Sequence, residues 1–124
     1  MIEPLTVLLV DDDSSIQKIL CQLLEEGGYN VLAAGNGMDA LDICRQCRHP
    51  IDLLLTDVEM PGMSGFDLAE HALRLQPLMK VLLMSGDTDN GTLRLEEFQD
   101  VRMFLAKPFD QAALMRKVRM ALRC

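Results

Sequence analysis

A chain of 124 residues with 49% hydrophobic content has room for one domain around one core. Its formal charge of −7 argues against a nucleic-acid surface, which needs a basic stripe. No apolar stretch reaches ~18 residues, and Met1-Ile2-Glu3-Pro4 lacks the basic and apolar regions of a signal peptide, so a cytoplasmic protein without membrane insertion is expected.

The first strand pattern, Thr6 to Val10, is an apolar run that stops at Asp11-Asp12-Asp13. Adjacent carboxylates at the end of a strand concentrate negative charge and call for a cation. Asp13 suits the N-cap of the helix that follows better than a ligand position, since Asp favours that place. In that helix Ile16, Ile19, Leu20, Leu23 and Leu24 fall at i, i+3, i+4, i+7 and i+8, and Gly27-Gly28 is a plausible end. Asn30 to Ala34 is the second strand pattern, and Asn36 is a candidate cap for the second helix.

Ile51 to Thr56 is the third strand pattern and runs into Asp57, with Pro61-Gly62 as loop punctuation after it. Ser64 then caps a third helix, with Asp67 in capping-box position. Lys80 to Met84 is a fourth strand pattern ending in the hydroxyl of Ser85. From Asp87 to Asp100 the fourth helical pattern is poor, with only Leu95 and Phe98 paired at i, i+3, so a short or mobile helix is expected. Val101 to Ala106 is the fifth strand pattern and ends in Lys107, and Leu114, Val118, Ala121 and Leu122 mark the fifth helix.

Continuous apolar strands imply burial on both faces, as in parallel sheets. Five βα units joined by short loops predict an α/β doubly wound sheet in the order 2-1-3-4-5 with helices on both faces. Ligands of such sheets sit beyond the carboxyl ends of the strands at the switch between strands 1 and 3, which is where Asp11, Asp12 and Asp57 fall. Acids, a hydroxyl and a lysine around one point suit Mg²⁺ and a phosphoryl group. The four cysteines read differently: Cys44-Arg45-Gln46-Cys47 has redox-motif spacing but falls late in a helical pattern, and His49 is the only nearby partner for a metal site. Ordinary reduced thiols in or beside the core are the expectation, and the nine methionines are mostly core filler.

At Leu8-Leu9-Val10-Asp11-Asp12-Asp13, Leu55-Thr56-Asp57-Val58-Glu59-Met60-Pro61-Gly62-Met63-Ser64-Gly65, Leu83-Met84-Ser85-Gly86 and Phe104-Leu105-Ala106-Lys107-Pro108-Phe109 the chain resembles the receiver domain of two-component response regulators. The phrasing of these motifs looks more like receivers appended to hybrid sensor kinases than like the chemotaxis regulator. The resemblance spans residues 1–124 as a single flavodoxin-like or chemotaxis-regulator-like receiver domain without an output domain. It implies that Asp57 accepts a phosphoryl group from a histidine kinase or a histidine phosphotransfer protein. It further implies that Asp11 and Asp12, with Asp57 and the backbone carbonyl of Glu59, hold Mg²⁺, Asp12 more directly than Asp11. Lys107 would neutralise a phosphoryl oxygen, and Ser85 would bond to the phosphoryl group with Gly86 leaving space. Phe104 would report the phosphorylation state, and the Lys107-Pro108 peptide would be cis. The output would be a change in the face built from the fourth and fifth helical patterns and the fifth strand. That face is read by a downstream effector or linked domains, the protein being a monomer or weak dimer that acts as a switch and not as a turnover enzyme. Glu59 and Asp87 would tune phosphoryl lifetime.

Each residue has a plainer reading. Asp57 and Ser85 alone would be turn residues, Lys107 a solvated lysine, and Phe104 a core aromatic beneath the fifth helix. From another class, Asp11-x-Asp13-x-Ser15 approximates the nucleophile motif of haloacid-dehalogenase-like phosphatases, with Asp11 as nucleophile. The chain is short for that fold, Ser15 departs from its motif, and Asp57 and Lys107 would go unexplained. A module that no longer takes phosphate is disfavoured because every expected site position is filled.

Overall fold

The computed structural model describes residues 4–86 and 103–123, which hold five strands and four helices. In chain order they are β1 (Thr6–Val10), α1 (Ser14–Glu26), β2 (Asn30–Ala34), α2 (Gly37–Gln46), β3 (Leu53–Asp57), α3 (Gly65–Leu75), β4 (Lys80–Ser85), β5 (Met103–Ala106) and α4 (Gln111–Arg123). Helix α4 is the fifth helical pattern of the sequence. The weak fourth pattern with Leu95 and Phe98, together with Asp87, Val101 and Arg102, lies outside the described residues.

All neighbouring strands pair in parallel, in the order β2-β1-β3-β4-β5. The expected sheet order is therefore found. Successive side chains of a strand point to opposite faces, so each apolar strand feeds two cores. Leu8 and Val10, Leu54, and Val81 and Leu83 pack with Ala40, Leu41 and Cys44 of α2 and Phe66, Ala69 and Ala72 of α3. Val7 and Leu9, Leu53 and Leu55, and Leu82 and Met84 face Leu20 and Leu24 of α1 and Leu114, Val118 and Ala121 of α4. All eleven of these strand residues are essentially inaccessible, as double-sided cover by helices requires.

The helix ends form as the sequence predicts. Asp13 caps α1, its carboxylate accepting from the Ser15 and Ile16 N–H groups, and Asn36 and Ser64 cap α2 and α3 by accepting from Asp39 N–H and Asp67 N–H. At the other end of α1, Gly28 takes φ +95. Its N–H bonds to the Glu25 carbonyl and the Tyr29 N–H to the Leu24 carbonyl, a paired closure that side chains at position 28 would strain.

One expectation needs correction. Ile19, counted on the apolar stripe, is 58% exposed, because it lies about 100° round the helix from buried Leu20, beyond the arc the sheet covers. Period-2 alternation puts Phe104 on the face opposite Leu105, and it is there, half-buried against the α2/α3 core, so the plainer reading that sets it beneath the last helix does not hold. Cys44 is buried and Cys21 and Cys47 are half-buried, all as free thiols.

Candidate functional site

Register carries the polar residues to one edge of the sheet. Val10 pairs with Thr56, so Asp11, the next residue after β1, stands level with Asp57 at the end of β3. Asp57 pairs in turn with Met84, and Ser85 with Ala106, so Ser85 and Lys107 follow one step further along. The Lys107 N–H donates to the Ser85 carbonyl at 2.9 Å, tying the two strand ends together. Alternation places Asp11, Asp57 and Lys107 with the α1/α4 side of the sheet, and Ser85 with the α2/α3 side, diagonal to Phe104.

The loops are shaped to deliver these groups. Asp11 N–H donates to the Ala34 carbonyl at 3.2 Å, and Asp11 Oδ1 accepts the Asp13 N–H at 2.9 Å. Asp57 Oδ1 accepts the Glu59 N–H at 3.1 Å, which holds the start of the β3–α3 loop against the acid. Gly62, at φ +85, turns that loop back, and Gly65 brings α3 so near that a Cβ there would collide with the Asp57 carbonyl and the Val58 Cα. The Lys107–Pro108 peptide is cis, as the resemblance implies.

The site is crowded with charge. One oxygen each of Asp11, Asp12 and Asp57 lie within 4.8 Å of one another. Asp11 is 1% and Asp57 8% exposed, whereas Asp12 is exposed. Lys107 Nζ reaches Asp57 Oδ2 at 2.9 Å and Asp11 Oδ2 at 3.6 Å. Burial raises the Asp11 carboxyl above its ordinary range, opposed by the Asp13 N–H and Lys107 and reinforced by the charges of Asp57 and Asp12. Burial alone would lower the Lys107 ammonium, but the hydrogen bond and charge of Asp57 and the charge of Asp11 together outweigh it and raise it.

These residues fit a divalent cation. Among the described residues Asp11 Oδ2 is buried without a hydrogen-bond partner, and three carboxylates converge on one point with the Lys107 ammonium beside them. Clustered hard oxygens with open solvent on the Asp12 side suit Mg²⁺, which keeps several of its waters.

Of the other sequence candidates, Ser85 is 1% exposed at the end of β4, and among the described residues the atom nearest to a Cβ built on Gly86 is Lys107 Cβ, at 3.9 Å. Glu59 is exposed, and its carboxylate is not part of the three-acid cluster. Asp87 lies outside the described residues. The sequence reading missed Gln17, whose side-chain amide bonds to the Asp11 and Ala34 carbonyls at 3.3 and 2.8 Å. Its one available signal was an amide a single turn after the helix cap.

Comparison with known proteins agrees with this arrangement. A family model described as the response regulator receiver domain matches residues 7–119. The transcriptional regulatory protein CpxR of Escherichia coli strain K12 is 39% identical over 119 residues, which is 94% of this chain and 49% of CpxR. The rice two-component response regulator ORR26 is 36% identical over 84% of this chain and 18% of its own length, and the receiver protein CpdR of Brucella abortus 38% identical over 64% and 65%. The chain thus spans less than two thirds of the length of these relatives. Among experimental structures, a receiver domain protein from Clostridium thermocellum superposes with a TM-score of 0.86 at 28% identity, covering 96% of this chain and 94% of that one. The chemotaxis protein CheY4 of Vibrio cholerae gives 0.85 at 26%, covering 95% and 98%. With the sheet order, the acid cluster and these matches in agreement, the chain belongs to the response regulator receiver domains of two-component systems.

Proposed function

We propose that this domain is a phosphorylation switch in which Asp57 takes a phosphoryl group from a phosphohistidine of a sensor kinase or phosphotransfer protein in the cytoplasm. The observation that carries the reading is the placement of Lys107 Nζ 2.9 Å from Asp57 Oδ2, beside two further acids within 4.8 Å. An Asp57 oxygen attacks phosphorus, the P–N bond breaks, and its electron pair leaves with the imidazole, which takes a proton from water; the product is an acyl phosphate. Mg²⁺, held by Asp11, Asp12, Asp57 and the Glu59 carbonyl, would supply charge neutralisation for the acids and the incoming phosphoryl oxygens. Lys107 bonds to Asp57 in the resting state and is within reach of a phosphoryl oxygen once the acid is esterified. Ser85 and Phe104 share a sheet face, so a hydroxyl drawn toward the phosphoryl group opens or fills space next to Phe104. That movement shifts the neighbouring surface read by an effector or a linked domain.

Asp11 is the weaker candidate for the acceptor. It is more deeply buried than Asp57, 1% against 8% exposed, and lies farther from the Lys107 ammonium, 3.6 Å against 2.9 Å. The comparisons likewise lend the haloacid-dehalogenase alternative no support. Incubation with acetyl phosphate and Mg²⁺ followed by mass spectrometry tests both readings. Labelling at Asp57, lost in excess chelator and in Asp57→Asn, is expected; labelling at Asp11, or equal labelling in chelator, would overturn the proposal.

A further inference from the structure

Gln17 lies one turn into α1, its own N–H bonded to the Asp13 carbonyl at 2.9 Å. Its side-chain nitrogen carries two hydrogens and meets two carbonyls, that of Ala34 at the end of β2 at 2.8 Å and that of Asp11 at 3.3 Å. The Ala34 carbonyl also accepts the Asp11 N–H at 3.2 Å. Asp11 is therefore gripped on both sides of its Cα, through N–H by Ala34 and through C=O by Gln17, while Asp13 N–H holds its carboxylate. The Asp11 carbonyl lies in the same rigid plane as the Asp12 N–H and Cα, so holding that carbonyl fixes where Asp12 Cα stands and narrows the directions open to its side chain. Asp12 is exposed, so packing does not set that direction.

We propose that Gln17 is a positioning residue for divalent cation binding, fixing the Asp11–Asp12 peptide so that both carboxylates stand at cation-binding separation. This rests on the reading of the acid cluster as a Mg²⁺ site. A simple structural staple of α1 to the sheet would act on stability; a positioning residue acts on cation affinity as well.

The test is a calorimetric Mg²⁺ titration of the full chain as wild type, Gln17→Met and Gln22→Met, with acetyl phosphate labelling rates across the same Mg²⁺ range. Methionine matches glutamine in length and removes the donor, and Gln22, exposed on the same helix, controls for loss of an amide. Groups that orient metal ligands characteristically change affinity by 10-fold or more, so Gln17→Met should weaken Mg²⁺ binding about 10-fold while Gln22→Met stays within about twofold. Saturating Mg²⁺ should return the Gln17→Met labelling rate to near the wild-type maximum. Should the Met variant not fold, Gln17→Asn, which keeps the amide but falls one methylene short of spanning both carbonyls, should show the same weakening. Unchanged Mg²⁺ affinity in a folded Gln17 variant, or a lowered maximal rate at unchanged affinity, would overturn the inference. Absence of Mg²⁺ binding by the wild type would instead overturn the acid-cluster reading itself.

Discussion

Burying the Asp11 carboxylate beside two other acids costs the metal-free protein stability at neutral pH. Its folded-state carboxyl is raised, chiefly by burial, so the stabilisation from the neutral form is complete below the ordinary carboxylate range and is lost as pH climbs through the raised value. Asp11→Asn is neutral at every pH. In chelator it should melt above wild type at pH 7, with the gap closing as pH falls toward the ordinary carboxylate range; a gap that widens on acidification contradicts this origin. The same variant should lose most of the thermal shift that Mg²⁺ gives wild type. Asp13 behaves otherwise, because its carboxylate caps α1. Asp13→Asn keeps a capping oxygen and should leave Asp57 labelling largely intact, whereas Asp13→Ala should cost about 1 kcal/mol in urea unfolding. At this scale Asp11, Asp57 and Lys107 were legible because each follows or ends an apolar run in a parallel sheet. Gln17 was not, since its partners are two backbone carbonyls, one of them 17 residues away.

At the scale of elements, the approach of α3 to β3 makes Gly65, the first residue of α3, a sensitive position behind Asp57. A methyl there meets backbone, not a side chain that could swing aside. Gly65→Ala should lower stability by about 1–3 kcal/mol, read as a lower urea midpoint at unchanged slope, and should slow labelling because the displaced atoms belong to the acceptor itself. The caps of α1, α2 and α3 were legible, being local encounters of a side chain with N–H groups two or three residues on. Ile19 was misread, and the plainer reading of Phe104 beneath the last helix fails, for a common reason. Periodicity says which residues share a face, but how wide an arc the sheet covers, and which helices lie over which face, are decided by packing between distant segments.

For the whole molecule, strand order and the convergence of the four strand ends that carry the site were legible because double-sided burial leaves long apolar runs and a doubly wound sheet has few topologies. Cation binding should act on the molecule as a unit. A ligand held only by the folded state at 100 times its dissociation constant adds about 2.7 kcal/mol, so near-saturating Mg²⁺ should raise the melting temperature by several degrees. Differential scanning calorimetry with and without chelator measures this, and coincident melts would contradict it. The buried Asp11 oxygen, without a hydrogen bond among the described residues, thereby reaches beyond signalling chemistry, into the survival of the polypeptide. Where cleavage requires global opening, the same mass action makes the open fraction about 100-fold smaller with the cation than without it. Starving the domain of Mg²⁺ would then expose it to proteases and shorten its lifetime, so that a receiver unable to accept a signal is also the first to be cleared.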